Sequence, residues 1–301
     1  MNILIAGATG LVGNAITDLC KERGYFVHYL TTNKTKIKST SILKGFYWDP
    51  KTQEIDTNCL NGIDAIINLA GASVSKRWSA TYKKEIEDSR IDSVRLLHKL
   101  LSENEHKVQY FTSASAMGIY PSSYTNEYVE SYDKINPTFL GNVVHQWEKE
   151  IDKIQALDIE VSKLRIGIVL SNKGGALLEM IKPIKLGFGA AIGNGQQQQS
   201  WIHIEDLAEM FLYVIEKKLL GTYNAVSSNP ITNMEMTKAI ARRLKKSLWL
   251  PNIPAFVMKL ILGEMSAIVL ESQNLNNSKI LKKGFTFKYG TLEKALDNCL
   301  S

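Results

Sequence analysis

The sequence predicts an α/β fold: a Rossmann-like doubly wound parallel sheet with a smaller, mainly helical C-terminal substrate lobe. Buried strands alternate with amphipathic helices, and a glycine-rich turn follows the first strand. Ile3–Ala6 are four consecutive apolar residues, as a strand buried on both faces requires. Gly7, Gly10 and Gly13 follow, and apolar residues then recur with helical period through Leu19. The chain is therefore predicted to begin with a strand, a tight turn and a helix.

The first turn is suited to binding an anionic pyrophosphate. A glycine turn lets bare backbone approach a ligand, and the following helix points its unpaired N–H groups and its positive dipole end at the same place. Glycine spacing alone is a weak signal and can be purely structural, but here it lies between a strand and a helix. The residues of this turn assigned to the cofactor are Gly7, Thr9, Gly10, Leu11, Val12 and Gly13.

The second predicted strand, 25–31, ends at the position that selects the cofactor. In dinucleotide-binding folds, an acidic residue about 20 positions past the turn binds the ribose 2′-hydroxyl, whereas basic or small polar groups admit a 2′-phosphate. Here Thr31, Thr32 and Asn33, assigned to the cofactor, precede Lys34 and Lys36, without a carboxylate. The pattern favours NADP(H) over NAD(H), although the lysines could simply lie on a solvated loop.

Further strands are predicted to end at the same edge of the sheet. A short strand ends at 46–50, and another at 65–72 leaves through small residues that would let a cofactor approach the backbone. Leu69, Ala70 and Gly71 are therefore assigned to the cofactor. Lys76, Arg77 and Trp78 follow where the strand opens onto a ligand crevice, and they are assigned to the substrate. Lys76 and Arg77 could instead bind the cofactor's phosphate, and the remaining alternative is a solvated loop anchored by one Trp. Residues 86–100 have helical period.

Residues 110–116 form the next predicted strand, and two serines lie near its carboxyl end. Ser113 and Ser115 could hydrogen-bond a substrate carbonyl or hydroxyl, or could only satisfy the turn. Both are taken as candidate catalytic residues, together with Tyr120 just beyond the strand. A helix over 139–157 and a sixth strand over 161–170 are then predicted.

The second lobe is predicted from a break in this alternation. Residues 171–200 are rich in glycine and contain four consecutive glutamines, and we expect substrate-lobe loops there. Residues 201–207 lead from a strand into a helix that ends near Lys218, 223–226 form a last short strand, and 231–301 are mainly helical until 284–289. The predicted division is a cofactor domain of 1–170 plus 201–226 and a substrate lobe of 171–200 plus 227–301.

Composition limits the class of protein. With 45% hydrophobic residues in 301, the chain is globular, and no run approaches the roughly 18 apolar residues of a membrane span, so no membrane is expected among its partners. The first strand begins almost at Met1, which leaves no room for a targeting peptide, and a cytoplasmic location is expected. The net charge of +6 lacks the interleaved aromatic pattern of a nucleic-acid module. Three widely separated cysteines indicate neither disulfides nor a metal site.

Several motifs together make the chain similar to a known family. They are GATGLVG at 7–13, NLAGA at 68–72, KRW at 76–78, DSRI at 88–91, SASA at 113–116, WE at 147–148, RIGIVL at 165–170, KGGA at 173–176, SWIHIED at 200–206 and LGEM at 262–265. The chain resembles an atypical branch of the extended short-chain dehydrogenase/reductases, the "epimerase family protein" group, also described as sugar-nucleotide epimerases or SulA-like cell-division inhibitors. The resemblance implies an NADP-binding Rossmann domain followed by a C-terminal domain that is particular to this family. It also adds Arg90 to the residues assigned to the cofactor.

The resemblance also exposes a difference. In ordinary members, a Tyr-x-x-x-Lys pair on the helix after the serine-bearing strand moves the proton during hydride transfer. In this chain that helix offers only Phe139 with Val143, or Leu140 with Val144. Two other matches, Tyr47 with Lys51 and Tyr213 with Lys217, occur at the wrong place in the topology and are treated as chance.

Other groups could replace the missing pair. Tyr120, Tyr124 and Tyr128 are nearby phenols, and His145 and His203 are residues whose pKa is readily tuned to neutral pH, although a lone His more often has a structural role. His203 is assigned to the substrate.

Two functions stay open. The first is an NADP(H)-dependent oxidoreductase or epimerase that acts on a small anionic or nucleotide-linked substrate, with Tyr120, His203 or water moving the proton. The second is a non-catalytic NADP(H)-binding regulator or scaffold. Family relatives often dimerise through the two helices that here would be 80–101 and 139–157, so a homodimer is possible.

Overall fold

The predicted parallel sheet is present in the computed structural model, which describes residues 1–300. The strands, in chain order, are β1 (Asn2–Ala6), β2 (Phe26–Thr31), β3 (Leu43–Asp49), β4 (Glu54–Ile55), β5 (Ala65–Asn68), β6 (Tyr110–Ala116), β7 (Glu127–Tyr128), β8 (Glu160–Ile166), β9 (Ile168–Leu170), β10 (Gln198–Gln199), β11 (Trp201–His203), β12 (Gly221–Ala225), β13 (Ile231–Thr232) and β14 (Asn274–Leu275). Within residues 1–300, eight of them form one sheet in the order β12-β8-β6-β5-β1-β2-β3-β4. β1 pairs in parallel with β2 and β5, as the doubly wound fold requires.

The helices alternate with these strands in the first half of the chain. In chain order they are α1 (Leu11–Glu22), α2 (Ala80–Glu103), α3 (Phe139–Asp152), α4 (Ala176–Lys185), α5 (Ile204–Glu216), α6 (Asn233–Arg243), α7 (Ala255–Leu262), α8 (Ala267–Leu270), α9 (Ser278–Lys282) and α10 (Leu292–Leu300). α3 continues into a 3₁₀ turn at Lys153–Leu157, so the predicted helix over 139–157 is confirmed with a tighter last turn.

The chain divides into two compact units. The first comprises 1–116, 138–165 and 208–223, and the second comprises 117–137, 166–207 and 224–301. Residues 117–137, 166–170, 201–207 and 224–226 thus group with the second unit. The division predicted from the sequence concerns which part binds cofactor and which binds substrate, and it stays a prediction.

Two expectations for the second half of the chain are wrong. The single strand predicted over 161–170 is interrupted at Gly167, where a Cβ would lie 2.5 Å from the Ser200 carbonyl oxygen. β9 beyond the break pairs with β11 instead. The predicted loop region over 171–200 contains α4, whose Leu177, Ile181 and Ile184 recur at helical spacing and are buried. The flanking glycines and an internal proline concealed this helix.

The core of the second unit explains why α4 forms. The buried stripe of α4 packs with residues of β9, β11, α6 and α10 in one apolar cluster. The buried members of this cluster are Leu170, Leu177, Ile181, Ile184, Trp201, Met236, Ile240, Ala241, Leu292, Ala295, Leu296 and Cys299. The strand predicted at 223–226 is β12, and two short strands, β13 and β14, follow it within the mainly helical remainder.

Across residues 1–300, no helix is both long enough and apolar enough to cross a bilayer. In the same residues, no group of three or more His, Cys, Asp or Glu side chains is placed to hold a metal ion.

Candidate functional site

The glycine turn after β1 is shaped by close backbone contacts. Gly7 has a φ of +85°, which favours glycine, and a Cβ there would lie 2.9 Å from the backbone carbon of Leu69. A Cβ on Gly13 would lie 2.2 Å from the Gly7 carbonyl oxygen. Both positions therefore require glycine, so that β1, the turn and α1 can pack closely.

The beginning of α1 is open to an anion. Gly10 is the N-cap residue, no side chain caps the helix, and no acidic residue lies in its first turn. The Gly10 N–H donates to the Gly7 carbonyl at 3.0 Å, which closes the turn below the helix end. The N–H groups of the first turn, Leu11 and Val12 among them, lack intrahelical acceptors and have a favourable dipole for a phosphate.

The tip of β2 is polar and basic. Thr31 is buried and its Oγ1 accepts from the Asn33 N–H at 3.2 Å, while Thr32 is exposed. Asn33 Oδ1 accepts from the Thr35 N–H at 2.9 Å and so caps the 3₁₀ turn Lys34–Lys36. Lys34 Nζ lies 4.6 Å from the centroid of the Tyr47 ring. The tip thus presents lysines and hydroxyls where a ribose would lie in this fold.

Arg90 of α2 lies against the exit of β5. A Cβ on Gly71 would lie 3.1 Å from Arg90 Cζ, so the small residue leaves space for the guanidinium. Nη1 of Arg90 donates to the carbonyls of Ala72 at 3.1 Å and Ile86 at 2.8 Å. The guanidinium also lies 5.4 Å from the centroid of the Trp147 ring.

The charge of Arg90 has no counter-ion. Burial lowers its pKa to about 10, and the only charge interaction that opposes this shift comes from Tyr82. Within residues 1–300, no carboxylate pairs with it, and its Nε and Nη2 groups make no hydrogen bond. An arginine in this state can bind an anion without first breaking an ion pair.

The segment between β5 and α2 holds the predicted substrate residues. Trp78 Nε1 donates to the Val74 carbonyl at 2.9 Å, and its ring meets Phe139 of α3 edge to face at 5.3 Å between centroids. Lys76 Nζ lies 5.5 Å from the centroid of the Tyr82 ring, and Arg77 is exposed. The structure therefore brings Trp78 to the start of α3 and leaves the two cations at the surface.

The two serines of β6 have different surroundings. Ser113 is fully buried; its Oγ donates to the Ala114 carbonyl at 2.9 Å and accepts from Asn68 Nδ2 at 3.3 Å. Ser115 is also buried, and its Oγ donates to Glu148 Oε1 at 2.5 Å. The Ser115 hydroxyl proton is thus already engaged by the Glu148 carboxylate.

Glu148 is the centre of a buried ionic network that sequence reasoning missed. Arg165 of β8 binds it in a bidentate manner, from Nε to Oε1 and from Nη2 to Oε2, both at 2.9 Å. Lys163 Nζ lies 3.8 Å from Oε2. Burial alone would raise the pKa of Glu148, but Arg165, Lys163 and Ser115 hold it below its ordinary value. The sequence does contain a signal, since a Glu lies on the apolar stripe of α3 and an Arg within a buried strand.

The positions of the usual catalytic pair on α3 are apolar. Val143 and Val144 are buried, and Phe139 and Leu140 are partly exposed. Glu148 lies one turn beyond Val144 on the same face of the helix. On this face α3 thus offers an anchoring carboxylate but no phenol or amine.

Tyr120, in the second unit, is enclosed. Its hydroxyl donates to Asn224 Oδ1 at 2.8 Å, and its ring stacks on Tyr128 with the ring centroids 5.1 Å apart. Only 1% of the residue is exposed.

His203 is fully buried. Its Nδ1 accepts from the Glu205 N–H at 3.2 Å, which leaves Nε2 to donate to Asn298 Oδ1 at 3.1 Å. Burial lowers its pKa and so favours the neutral ring. The predicted roles of Tyr120 in catalysis and of His203 in substrate binding stay predictions, and in this structure both side chains serve the packing of the second unit.

Comparison with known families finds two matches that together span most of the chain. Residues 3–141 match the family described as "NAD dependent epimerase/dehydratase family", and residues 253–299 match a domain of unknown function, DUF1731.

Named relatives are similar to the chain over almost their whole length. The chain is 35% identical over 304 residues to the epimerase family protein YfhF of Bacillus subtilis, which covers 100% of this chain and 98% of the relative. It is also 35% identical to the epimerase family protein SAR0825 of Staphylococcus aureus, over 99% of this chain and 98% of the relative. The crystal structure of the human epimerase family protein SDR39U1 with NADPH superposes with a TM-score of 0.84 and 27% identity, covering 100% of this chain and 99% of that one.

Proposed function

The chain belongs to the epimerase family, with an NAD-dependent epimerase/dehydratase domain followed by a DUF1731 domain, and from this premise we propose that it binds NADP(H) as its cofactor. The observation that carries the proposal is the uncapped beginning of α1 behind a turn that requires Gly7 and Gly13. This geometry receives a pyrophosphate. Thr9 and Gly10 are the exposed residues of the turn and would lie against it.

The choice of NADP(H) over NAD(H) rests on the tip of β2. Thr31, Thr32 and Asn33 precede Lys34 and Lys36, and no carboxylate lies there to bind a ribose 2′-hydroxyl. The human relative with NADPH supports the same choice. The family description names NAD, so the preference is a proposal to be measured.

Arg90 is proposed as an anion contact of the cofactor. Its guanidinium lies beside Gly71 at the end of β5, next to Leu69 and Ala70, and carries a charge without a carboxylate partner. A phosphate oxygen would accept from its Nε and Nη2 groups, which have no acceptor within the described chain.

The proposed chemistry is an oxidoreductase or epimerase reaction on a small anionic or nucleotide-linked substrate, with 171–200 plus 227–301 as the substrate lobe. When bound, NADP(H) would supply or accept a hydride. Ser113 or Ser115 would orient the reacting oxygen, and Lys76, Arg77 and Trp78 would bind the substrate. Because the Ser115 proton is donated to Glu148, Ser115 would act as an acceptor rather than a donor.

The proton carrier is proposed to be a water molecule. The Tyr120 hydroxyl donates to Asn224, and both nitrogens of His203 are engaged in hydrogen bonds. Neither side chain can move a proton to a substrate without first breaking these bonds.

A second candidate function has its own support. The positions of the usual acid and base on α3 are apolar: they hold Phe139 with Val143, or Leu140 with Val144. This absence is what a non-catalytic NADP(H)-binding regulator or scaffold would show. A homodimer through α2 and α3, and a cytoplasmic location that suits the unpaired Cys20, Cys59 and Cys299, are part of either proposal.

Titration calorimetry of the full chain with NADPH and NADH tests the cofactor. We expect NADPH to bind roughly tenfold more tightly than NADH, because Lys34 and Lys36 at the tip of β2 would attract the additional phosphate. Absence of binding by both nucleotides would refute the proposal, and tighter binding of NADH would refute the preference. Arg90→Gln should weaken both nucleotides, whereas Lys99→Gln, an exposed control on the same helix, should leave both affinities unchanged.

Turnover is measured separately. NADPH deuterated at C4 is incubated with the chain and a panel of carbonyl compounds and sugar nucleotides, and loss of label is followed by mass spectrometry. Transfer of deuterium from NADPH to one of these compounds supports the proposed enzymatic function. Binding without transfer, together with NADPH-dependent retention of a partner, favours the regulator.

A further inference from the structure

One face of the second unit combines protruding apolar side chains with basic ones. Of the thirteen large hydrophobic side chains that are exposed in residues 1–300, seven lie in two segments, 182–193 and 242–270. They are Leu186, Phe188, Trp249, Phe256, Leu260, Ile261 and Ile268. Soluble chains rarely concentrate such side chains in one place without a partner, so this face needs an explanation.

The two segments lie side by side. Trp249 Nε1 donates to the Gly187 carbonyl at 3.0 Å. The Ile253 N–H donates to the Ala191 carbonyl at 2.8 Å, and α7 begins two residues later. These contacts join 186–193 to 249–253, directly before α7, and we call these neighbouring segments together the basic apolar face. Its apolar members are Leu186, Phe188, Trp249, Phe256, Leu260 and Ile261, and its basic members are Lys182, Lys185, Lys245, Lys246 and Lys259.

The charge of this region is predominantly positive. The two segments 182–193 and 242–270 contain seven Lys and Arg and one acidic residue, Glu264. Lys182 pairs with Glu179 and Arg243 with Asp297, but Lys185, Lys245 and Lys246 form no ion pair within the described chain. A partner that binds this face must therefore carry negative charge. A second copy of the same face would bring like charges together and is disfavoured.

The shape of the face also narrows the choice. Trp249 is 69% exposed, Phe256 71% and Leu260 84%, so these side chains project from the surface instead of lining a groove. A protein partner would need matching hollows, whereas a lipid headgroup layer adapts to projecting side chains. Exposed Trp, Phe and Leu flanked by Lys are typical of segments that lie in the membrane interface. At eight residues, α7 is about 12 Å long and is too short to cross a bilayer.

We propose that the basic apolar face binds the surface of a bilayer that contains anionic lipid, with Trp249, Phe256 and Leu260 inserted at headgroup depth and the lysines on lipid phosphates. This surface contact needs no membrane-spanning helix, but it departs from the sequence expectation that no membrane is among the partners. It rests on residues outside the proposed cofactor site, and it holds whether or not NADP(H) binds.

Vesicle flotation with the full chain tests the proposal. Vesicles contain phosphatidylcholine alone or with about 30% phosphatidylglycerol, a composition that gives a negative surface potential. We expect the chain to float with the anionic vesicles and to leave the neutral ones, and about 0.5 M NaCl should release it because that salt screens the lysines.

Two paired variants locate the contact. Phe256→Ser with Leu260→Ser should abolish flotation, and Lys245→Gln with Lys246→Gln should weaken it roughly thirtyfold. Phe26→Ser, on an exposed residue of the first unit, and Lys51→Gln with Lys134→Gln are the matched controls and should bind as the native chain does. Thermal melting should show that every variant remains folded, since the changed side chains are exposed.

Several results of these experiments would overturn the proposal. Failure to float with anionic vesicles, or equal flotation with neutral ones, overturns the proposal. It is also overturned when the Ser variants float normally, or when they convert a dimer into a monomer in sedimentation equilibrium without vesicle binding, because the face would then belong to a second copy.

Discussion

The glycine turn and helix α3 lie in the same unit but are built by opposite means. The turn is made of backbone: Gly7 and Gly13 have no room for a Cβ, and no side chain caps α1. α3 is held by buried side chains, with Glu148 bound to Arg165 and Ser115. The proposed nucleotide binding therefore depends on the path of the chain, whereas the usual acid–base chemistry would depend on side chains that α3 lacks. Binding and turnover are thus separate properties of this unit and are tested separately.

The largest effect on nucleotide binding is expected in the turn. In Gly13→Ala, the new Cβ would lie 2.2 Å from the Gly7 carbonyl oxygen, so the turn must shift. We expect a loss of about 3 kcal/mol in the free energy of unfolding in urea. Nucleotide affinity should fall at least tenfold, because the shifted turn no longer presents its N–H groups.

Gly10→Ala is the matched control for that change. Its φ is −80°, and a Cβ would lie 3.3 Å from the same oxygen, so its unfolding free energy should stay within about 1 kcal/mol of the native value. Equal destabilisation by the two substitutions would contradict the view that close backbone packing distinguishes them.

The network beneath α3 should show the largest effect on stability alone. Glu148→Leu leaves the Arg165 guanidinium buried without its carboxylate, and we expect a loss of about 3–5 kcal/mol in unfolding free energy. Glu148→Leu with Arg165→Met removes both charges and should recover much of that loss. If the double variant is as unstable as the sum of the single changes, the pair is not the source of the effect.

Acid should reveal the same network. Since the pKa of Glu148 is held below its ordinary value of 4.5, its ionised form stabilises the fold above that pH, and this contribution is lost as the pH falls through the lowered value. In a denaturant series from pH 7 to pH 3, native stability should fall more steeply than that of Glu148→Gln. Parallel curves would rule out Glu148 as a contributor to acid unfolding.

This contrast also explains which features the sequence could predict. Local patterns of glycines and apolar runs predict the turn, β1, β5 and β6, and the structure confirms these elements. The Glu148–Arg165 pair joins residues 17 apart on a helix and a strand, and neither residue alone reveals its partner. Likewise, α4 was missed because local glycines and Pro183 outweighed a buried stripe whose partners lie far along the chain.

The smallest effect is expected at the tip of β2. Lys34 and Lys36 are exposed, so each contributes weakly to binding a phosphate, and Lys34→Ala with Lys36→Ala should reduce NADPH affinity roughly fivefold. NADH lacks the 2′-phosphate and should bind the variant as it binds the native chain. Calorimetry of both nucleotides checks this, with Lys51→Ala as a control outside the tip. If NADPH and NADH are weakened equally, the lysines attract both nucleotides by charge and do not distinguish between them. The cofactor preference would then have to come from the backbone of the turn.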